Sequence, residues 1–331
     1  MIETIYIEEE VLTHHRTQQI LARYPKARQI VCERYGEVFN RKAQNFRVQK
    51  TRPSLILASK HGNYVLPAPD SYGVGGEFNF YFSHMMNCLY DCRYCFLQGM
   101  YRSAHYVVFV NYEDFDKEIE EKLSSSANDE TWFFSGYDCD SLALEPVTGF
   151  ASHILSSFPK QNNAWLEFRT KSTQIRSLLD REVLPNCVIA FSLSPQEIID
   201  AYEHKTPSLT NRLNAMSKLQ QVGWKIGLRF DPVIYHGEFK RIYREMFQAI
   251  FSSIDLNAVH SVSLGGFRLP EVFYKTMTKL YPYEELFAGA LGKTPEKMVA
   301  YQPELEQAML AYCEEIILEY IPRDRYFPCT G

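Results

Sequence analysis

The sequence predicts an α/β protein with a parallel sheet, because short apolar runs alternate with helical patterns along most of its 331 residues. The helical periodicity is clearest over residues 207–222 and 237–253. Such a chain folds as an open barrel or as a doubly wound sheet, and in both the functional residues lie at the carboxyl ends of the strands. Six runs have the length and the β-branched or aromatic content of buried strands: 78–84, 131–136, 164–170, 187–194, 224–230 and 258–266.

The N-terminal part of the chain predicts a smaller α/β unit. Residues 3–9 and 27–33 have strand character on either side of a helix over 12–24, and residues 54–59 resemble a third strand. Residues 67–78 are rich in turn-forming residues and mark a boundary. We therefore divide the chain into an N-terminal extension, residues 1–70, and a second domain, residues 71–331, which ends in a helical segment.

Positive charge is concentrated in the N-terminal extension, although the whole chain has a net charge of −5. Residues 14–60, the basic block, contain 11 Lys or Arg and two Glu, which is a local charge of +9. Such a block suits a surface that faces phosphate groups, and it equally suits an ordinary solvated helical face.

The eight cysteines indicate metal binding or catalysis more than disulfides, because we expect a cytoplasmic protein. That expectation rests on an acidic N-terminus without a signal-peptide core and on the lack of an eighteen-residue apolar run. Cys32, Cys187 and Cys313 lie in apolar periodic stretches, which predicts buried core positions.

The strongest motif is "CLYDCRYC", in which Cys88, Cys92 and Cys95 lie four and three residues apart soon after the first of the six strands. Zinc prefers four ligands, usually as two close pairs, and no second pair follows. A [4Fe–4S] cluster held by three thiolates keeps one iron open for another ligand. The spacing, with Tyr94 before the third cysteine, resembles the signature of the radical S-adenosylmethionine (SAM) superfamily. A structural zinc site and three unrelated buried thiols are the alternatives.

Further segments resemble the spore photoproduct lyase family of that superfamily, and their order covers most of the chain: residues 46–60, 88–98, 167–172, 191–195, 203–213 and 222–239. The resemblance implies a divergent member with a partial (β/α)6 barrel and an N-terminal extension. It implies a [4Fe–4S] cluster, SAM, and light-independent repair of 5-thyminyl-5,6-dihydrothymine in UV-damaged DNA through a 5′-deoxyadenosyl radical. We also expect an external one-electron donor of flavodoxin or ferredoxin type, no membrane partner, and a monomer.

The resemblance also implies roles for single residues. Cys88, Cys92 and Cys95 would hold the cluster, and Lys171, Ser192 and Ser135 would contact SAM. The cysteine that returns hydrogen to the product in this family aligns with Tyr137, so Cys139, two residues later, is the candidate donor and Cys329 the alternative. A family tyrosine after the third cysteine is Phe96 here, so a radical relay through Tyr94 would be rerouted through Tyr137.

Other departures concern the substrate side. Arg229 and Asp231 occupy a strand end that is more apolar in the family, and the family's Gly- and Arg-rich hairpin is not visible near 293–303. Arg268 and Tyr301 are the replacements that the sequence offers for that hairpin. Two alternatives therefore stay open: a radical SAM enzyme with another substrate, and a non-catalytic DNA-binding or redox-sensing iron–sulfur protein.

The three-thiol motif generates a direct prediction about metal content. Anaerobically reconstituted protein should hold about four irons per chain, and Cys88→Ala should lose the cluster together with its visible absorption. Full iron retention in that variant would contradict the assignment.

Overall fold

A computed structural model describes residues 2–69, 72–126 and 129–329. Its strands are β1 (Thr4–Glu8), β2 (Arg28–Cys32), β3 (Leu55–Ala58), β4 (Val65–Pro67), β5 (Phe78–Phe82), β6 (Met85–Met86), β7 (Asp91–Cys92), β8 (Tyr106–Phe109), β9 (Thr131–Ser135), β10 (Ala164–Thr170), β11 (Cys187–Ser192), β12 (Glu203–His204), β13 (Lys225–Val233), β14 (Val259–Gly266), β15 (Arg268–Pro270), β16 (Leu291–Lys293), β17 (Met298–Tyr301) and β18 (Tyr326–Pro328). Its α-helices are α1 (His15–Arg23), α2 (Phe46–Thr51), α3 (Leu97–Met100), α4 (Tyr112–Ser125), α5 (Glu145–Thr148), α6 (Phe150–Ser157), α7 (Arg176–Leu179), α8 (Gln196–Tyr202), α9 (Leu209–Gln221), α10 (Phe239–Ser253), α11 (Glu271–Leu280) and α12 (Pro303–Tyr320).

The larger sheet has the strand order β4-β5-β9-β10-β11-β13-β14-β18. Its neighbours pair in parallel, except for the antiparallel edge pair of β4 and β5. The six predicted strands are its central members, and each begins within one residue of the predicted start. Because their spatial order follows the chain without reversal, the sheet is the predicted partial barrel and not a doubly wound sheet. The sequence did not predict β18, which adds a parallel strand beside β14.

The strands alternate between a face that packs on the helices and a face that lines the barrel interior. On β10, Leu166 and Phe168 belong to the main core between sheet and helices. Trp165 faces the other way, where it joins a smaller apolar cluster with Trp132 and Phe134 of β9. The predicted core thiols Cys32, Cys187 and Cys313 are all buried, as expected.

A buried ion pair lies on the inner face of the barrel. The side chains of Glu167 on β10 and Arg229 on β13 are 0% exposed, and Arg229 Nη2 lies 2.6 Å from Glu167 Oε2. Arg229 Nη2 also donates to Ser261 Oγ on β14, at 2.8 Å. Space for the guanidinium comes from Gly227, where an added Cβ would lie 2.8 Å from Arg229 Nη2. Arg169 is the second cation on Glu167, with its Nη2 3.0 Å from Oε1.

The N-terminal residues form a separate sheet in the order β2-β1-β3-β8-β6. The three predicted strands and the predicted helix are present as β1, β2, β3 and α1. However, β8 and β6 come from beyond the predicted boundary, so this sheet is shared between the two sequence segments. The boundary at residues 70–71 itself lies outside the described residues.

A small antiparallel sheet, β15-β17-β16, follows the barrel. The family's Gly- and Arg-rich hairpin was not visible in the sequence near 293–303, yet β16 and β17 form a hairpin there, with Lys297 at φ 60° in its turn. Tyr301 is not an exposed replacement for a DNA-wedging residue, because it is buried and its hydroxyl accepts a hydrogen bond from Tyr235 N at 3.0 Å. Within the described residues, no helix is long and apolar enough to cross a membrane.

The interior ion pair predicts a large effect on stability. Glu167→Gln removes the charge between two arginines and should lower the free energy of unfolding by about 3–5 kcal/mol, because Arg229 is left buried without a counter-charge. Asp180→Asn, in the exposed pair with Arg176, is the matched control and should cost at most about 1 kcal/mol. Denaturant midpoints of the cofactor-free chain test this, and equal shifts for both variants would contradict it.

Candidate active site

The carboxyl ends of the barrel strands surround one cavity of about 660 Å³. Every parallel strand of the barrel sheet sends residues to its wall. The lining residues that bear on chemistry are Cys88, Cys92 and Cys95 after β5, Tyr137, Cys139 and Asp140 after β9, Arg169 and Lys171 at the end of β10, Ser192 on β11, Asp231 on β13, Arg268 after β14 and Cys329 after β18. The cavity therefore lies where the sequence predicted the functional residues of a parallel sheet.

The three cysteines lie on one loop, residues 88–95 (the cluster loop), and contacts hold this loop in place along its length. Before it, Asn87 adopts φ 71°, and its side-chain amide donates to the carbonyl oxygens of Ser103 and His105 at 2.6 and 2.8 Å. In its middle, β7 pairs with β12, so that Cys92 lies opposite Glu203. After it, Gln98 Nε2 donates to Asp91 Oδ1 at 2.8 Å. The thiols are thus presented by a constrained backbone.

Lys50 contributes to the same loop, which the charge pattern did not predict. Its ammonium donates to the carbonyl oxygen of Tyr90 at 3.2 Å and lies 3.9 Å from Asp91 Oδ1. Lys50 therefore belongs to neither of the two exposed surfaces, phosphate-facing or solvated, that the sequence offered for the basic block. Arg47 and Arg52 are exposed, whereas Lys50 is buried.

The three thiols fit an iron–sulfur cluster better than a single ion. No three His, Cys, Asp or Glu side chains in the described ranges converge on a point that suits one metal ion. A cubane holds its thiolates several ångströms apart, each on a different iron, and so suits three separated sulfurs on one wall. Burial raises the pKa of the Cys95 thiol, while the ammonium groups of Lys171 and Lys50 act in the opposite direction and favour a thiolate. The cations that would balance an anionic cluster are therefore in place.

Tyr94 is joined to a buried acidic group, Glu203. Its hydroxyl donates to Glu203 Oε1, and Arg212 donates to Glu203 Oε2. Ser194 Oγ adds a hydrogen bond to Oε1 at 3.1 Å. Burial opposes the charge on Glu203, but Arg212 and Lys171 outweigh it and hold the pKa of this carboxyl below its ordinary value. Sequence reasoning missed Glu203 and Arg212 as individual site residues, although both lie in the segment 203–213 that resembles the family.

Two of the three predicted SAM contacts reach the cavity. Lys171 lies against the cluster loop, with Nζ 5.6 Å from the centre of the Tyr94 ring. Burial works against its charge, but Glu203 and Cys92 outweigh this effect and raise the pKa of Lys171. Ser192 is also on the wall. Ser135 is not, because it follows Phe133 on the face of β9 that packs toward the helices; the neighbouring Gly136 lines the cavity instead.

Asp140 is a site residue that the sequence analysis did not single out. One carboxylate oxygen accepts from Thr170 Oγ1 at 2.6 Å, and the other accepts from Lys171 N at 2.7 Å. Asp140 therefore ties the loop after β9 to the end of β10. An acidic residue just beyond a buried strand is the signal that would have indicated it.

The two candidate hydrogen donors lie in different surroundings. Cys139 is 7% exposed and packs in the apolar cluster of the N-terminal sheet, beside Met85. Cys329 is half-buried at the end of β18, where its carbonyl oxygen accepts a hydrogen bond from Arg268 at 3.2 Å. Both line the cavity, as does Tyr137, whose ring lies 4.3 Å from that of Tyr81 and 5.5 Å from that of Phe96.

Of the two residues expected to alter the pocket, only Asp231 reaches it. Arg229 is buried in the barrel against Glu167. Arg169, which the sequence analysis did not single out, lines the cavity and stacks on Tyr72, with 4.4 Å between the guanidinium carbon and the ring centre. The substrate side of the cavity thus combines aromatic faces with cations.

A partial barrel with three thiols on the loop after its first strand, and with Lys171 and Ser192 at later strand ends, defines the class: a radical SAM enzyme with a [4Fe–4S] cluster. Comparison with known proteins identifies the family. The profile of spore photoproduct lyase matches residues 77–325, so the chain belongs to the spore photoproduct lyase family.

Individual relatives agree with this assignment. Spore photoproduct lyase of Bacillus subtilis (strain 168) is 24% identical over 250 residues, which are 73% of this chain and 71% of the relative. The Clostridium acetobutylicum protein is 27% identical over 169 residues, 51% of this chain and 50% of the relative. A spore photoproduct lyase mutant structure with bound AdoMet and dinucleoside spore photoproduct has a TM-score of 0.86 at 18% identity, covering 100% of this chain and 98% of that one. At this identity the structural match shows the fold, and it confirms the partial barrel.

Proposed function

We propose that this chain is a radical SAM lyase that reverses 5-thyminyl-5,6-dihydrothymine in UV-damaged DNA to two thymines. The observation that carries the proposal is that the strand ends bring three cluster thiols, a buried lysine and two further thiols together around one cavity. A solved relative holds dinucleoside spore photoproduct, which supports a substrate of this size and chemistry.

The cofactor end of the cavity is the wall formed by the cluster loop and the ends of β10 and β11. Cys88, Cys92 and Cys95 hold the cluster, and Lys171 and Ser192 bind the carboxylate and hydroxyl groups of SAM. When bound, the cluster and SAM supply an electron and a 5′-deoxyadenosyl radical, which removes hydrogen from a C–H bond. Asp140 keeps Lys171 in position through its backbone N–H, and Glu203 balances the Lys171 charge.

The substrate end is the wall formed by Tyr72, Tyr137, Arg169 and Arg268. Aromatic faces suit the two thymine rings, which must leave the base stack to enter a cavity. The guanidinium groups suit the phosphate between the two nucleosides. Arg169 is held against Tyr72 and by Glu167, so it is preorganised for this contact.

The loop after β9 supplies the residue that returns a hydrogen atom to the product radical. Loss of hydrogen from the dihydrothymine ring and cleavage of the methylene bridge leave a thymine-centred radical. Cys139 gives it a hydrogen atom, so the S–H bond breaks, a C–H bond forms and a thiyl radical remains. Tyr137, two residues before Cys139, relays the radical. Tyr94 serves as a positioning residue, because its hydroxyl is already bound by Glu203.

The partners of the reaction are part of the proposal. The exposed Arg47 and Arg52 contribute to DNA affinity, and an external one-electron donor of flavodoxin or ferredoxin type reduces the cluster. Cytoplasmic location and a monomeric state stay predictions.

Product analysis with a synthetic dinucleotide lesion, SAM and dithionite tests the function. The lesion should be converted to two thymines, and 5′-deoxyadenosine should form. If 5′-deoxyadenosine forms while the lesion stays intact, the chain is a radical enzyme for another substrate. If no 5′-deoxyadenosine forms, with or without lesion, the chain is a non-catalytic iron–sulfur protein.

The choice of donor is tested by removing each cavity thiol. Cys139→Ala should retain the cluster and break the lesion, but the trapped radical should end as an adduct, for example with sulfite from dithionite, because a phenol quenches it less readily than a thiol. Cys329→Ala is the matched control and should give thymine as the parent does. Clean repair by Cys139→Ala at the parent rate, with the adduct from Cys329→Ala, would make Cys329 the donor.

A further inference from the structure

Lys50 is a member of the basic block whose ammonium group is buried against the cluster loop and not directed to solvent. Its side chain is 9% exposed, although Arg47 on α2 and Arg52 directly after this helix are both exposed. Lysine is seldom buried unless its ammonium is paired and hydrogen-bonded. Here the partners are the carbonyl oxygens of Tyr90 at 3.2 Å and Cys88 at 3.5 Å, and the Asp91 carboxylate at 3.9 Å. These acceptors lie within the segment that joins the first two cluster thiols.

The surrounding structure delivers this ammonium to the loop. Asn45 caps α2 by accepting from Val48 N at 3.1 Å, and the buried Phe46 anchors the helix. From the other side, Lys205 Nζ donates to the carbonyl oxygen of Lys50 at 3.3 Å. Lys205 follows β12, the strand that pairs with β7 of the loop. The N-terminal extension and the barrel thus meet at Lys50.

We propose that Lys50 is a positioning residue for the cluster: it fixes the backbone between Cys88 and Cys92 and places an ammonium group beside the iron site. This inference rests on the cofactor assigned in the proposed function. The charge raises the reduction potential of the cluster, because net charge and hydrogen bonding around an iron–sulfur cluster set its potential. The N-terminal extension is therefore part of the cofactor site as well as a basic surface.

The physical consequences of losing the ammonium are of two kinds. Two buried carbonyl oxygens lose a donor, which loosens the loop. The Asp91 carboxylate keeps Arg93, whose Nη1 lies 2.7 Å away, but the local charge becomes one unit more negative. A more negative charge around the cluster makes its reduction less favourable, because reduction adds an electron. This effect is strong where solvent is excluded.

Three variants of the full chain separate these effects. Lys50→Met removes both the donor and the charge, and Lys50→Gln retains a donor without the charge. Lys42→Met, at an exposed position of the same block, is the matched control. The measurements are iron per chain after anaerobic reconstitution and the cluster potential from an EPR-monitored redox titration.

We expect Lys50→Met to bind less iron than the parent, and both Lys50 variants to show a shift of the cluster potential to more negative values. Lys42→Met should match the parent in both measurements. A purely structural role would lower the iron content without moving the potential of the cluster that remains. If Lys50→Met does not fold, Lys50→Gln alone decides: an unchanged potential overturns the proposal.

DNA affinity provides a second test, because Lys50 belongs to a basic block that could face phosphate groups. Lys50→Gln should bind duplex DNA with the parent's affinity and salt dependence, whereas Arg47→Gln with Arg52→Gln should bind more weakly and with a smaller salt slope. A loss of affinity in Lys50→Gln as large as in the double arginine variant would overturn the inference. If the chain fails to repair the lesion, iron content and potential are still measurable, so the two failures are distinguishable.

Discussion

The ion pair between Glu167 and Arg229 is the interaction on which the barrel interior depends. It joins β10 to β13 across the intervening β11, in a space that Gly227 leaves open. A fully buried pair of this kind is weak evidence for stability, because desolvation offsets much of the Coulomb attraction. Its effect is to specify geometry. Glu167 also holds Arg169, so the same carboxylate that fills the interior sets the direction of a cation on the cavity wall.

A second buried carboxylate, that of Glu203, fixes the positions of side chains beside the cluster loop. Glu203 binds the Tyr94 hydroxyl and Arg212, and its strand pairs with the strand that contains Cys92. On the other side of the loop, the Asp91 carboxylate pairs with Lys50 and Arg93 and accepts a hydrogen bond from Gln98. The loop and the residues just after it also bury Tyr90, Tyr94 and Leu97 in the main core, and the polar contacts fix the backbone between these anchors. Because those contacts come from the N-terminal extension, the barrel and the segment after β11, the cofactor site requires the whole fold.

The two walls of the cavity have different kinds of side chain. One wall has the sulfur atoms and Lys171, which suit a cluster and an amino-acid carboxylate. The other has Tyr72, Tyr137 and Arg169, which suit bases and a phosphate. Cys139 lies on the loop after β9 and packs against the N-terminal sheet. Burial protects a thiol there from solvent and raises its pKa well above the ordinary value, which keeps it in the S–H form that hydrogen-atom donation requires.

The amino-acid sequence by itself determined the six central strands, the spacing of three thiols along one loop, and the location of the site at the carboxyl ends of the strands. These features depend on local pattern: apolar periodicity, the spacing of cysteines, and the rule that parallel strands end at one rim. The partial barrel and the roles of Lys171 and Ser192 were implied only by the resemblance to a family. Only the tertiary structure decided which polar residues face that rim. Lys50 and Arg47 are three residues apart in the same basic block, yet Lys50 is buried and donates to a carbonyl oxygen of the cluster loop, whereas Arg47 is exposed. They differ because burial of a side chain depends on what packs against its helix. Ser135 and Gly136 also differ, because Ser135 is the last residue of β9 whereas Gly136 begins the loop after it with a φ of 87° and lines the cavity. Arg229, Glu203 and Cys329 find their partners 62, 109 and 61 residues away in the chain, and such distant contacts leave no periodic trace in a sequence.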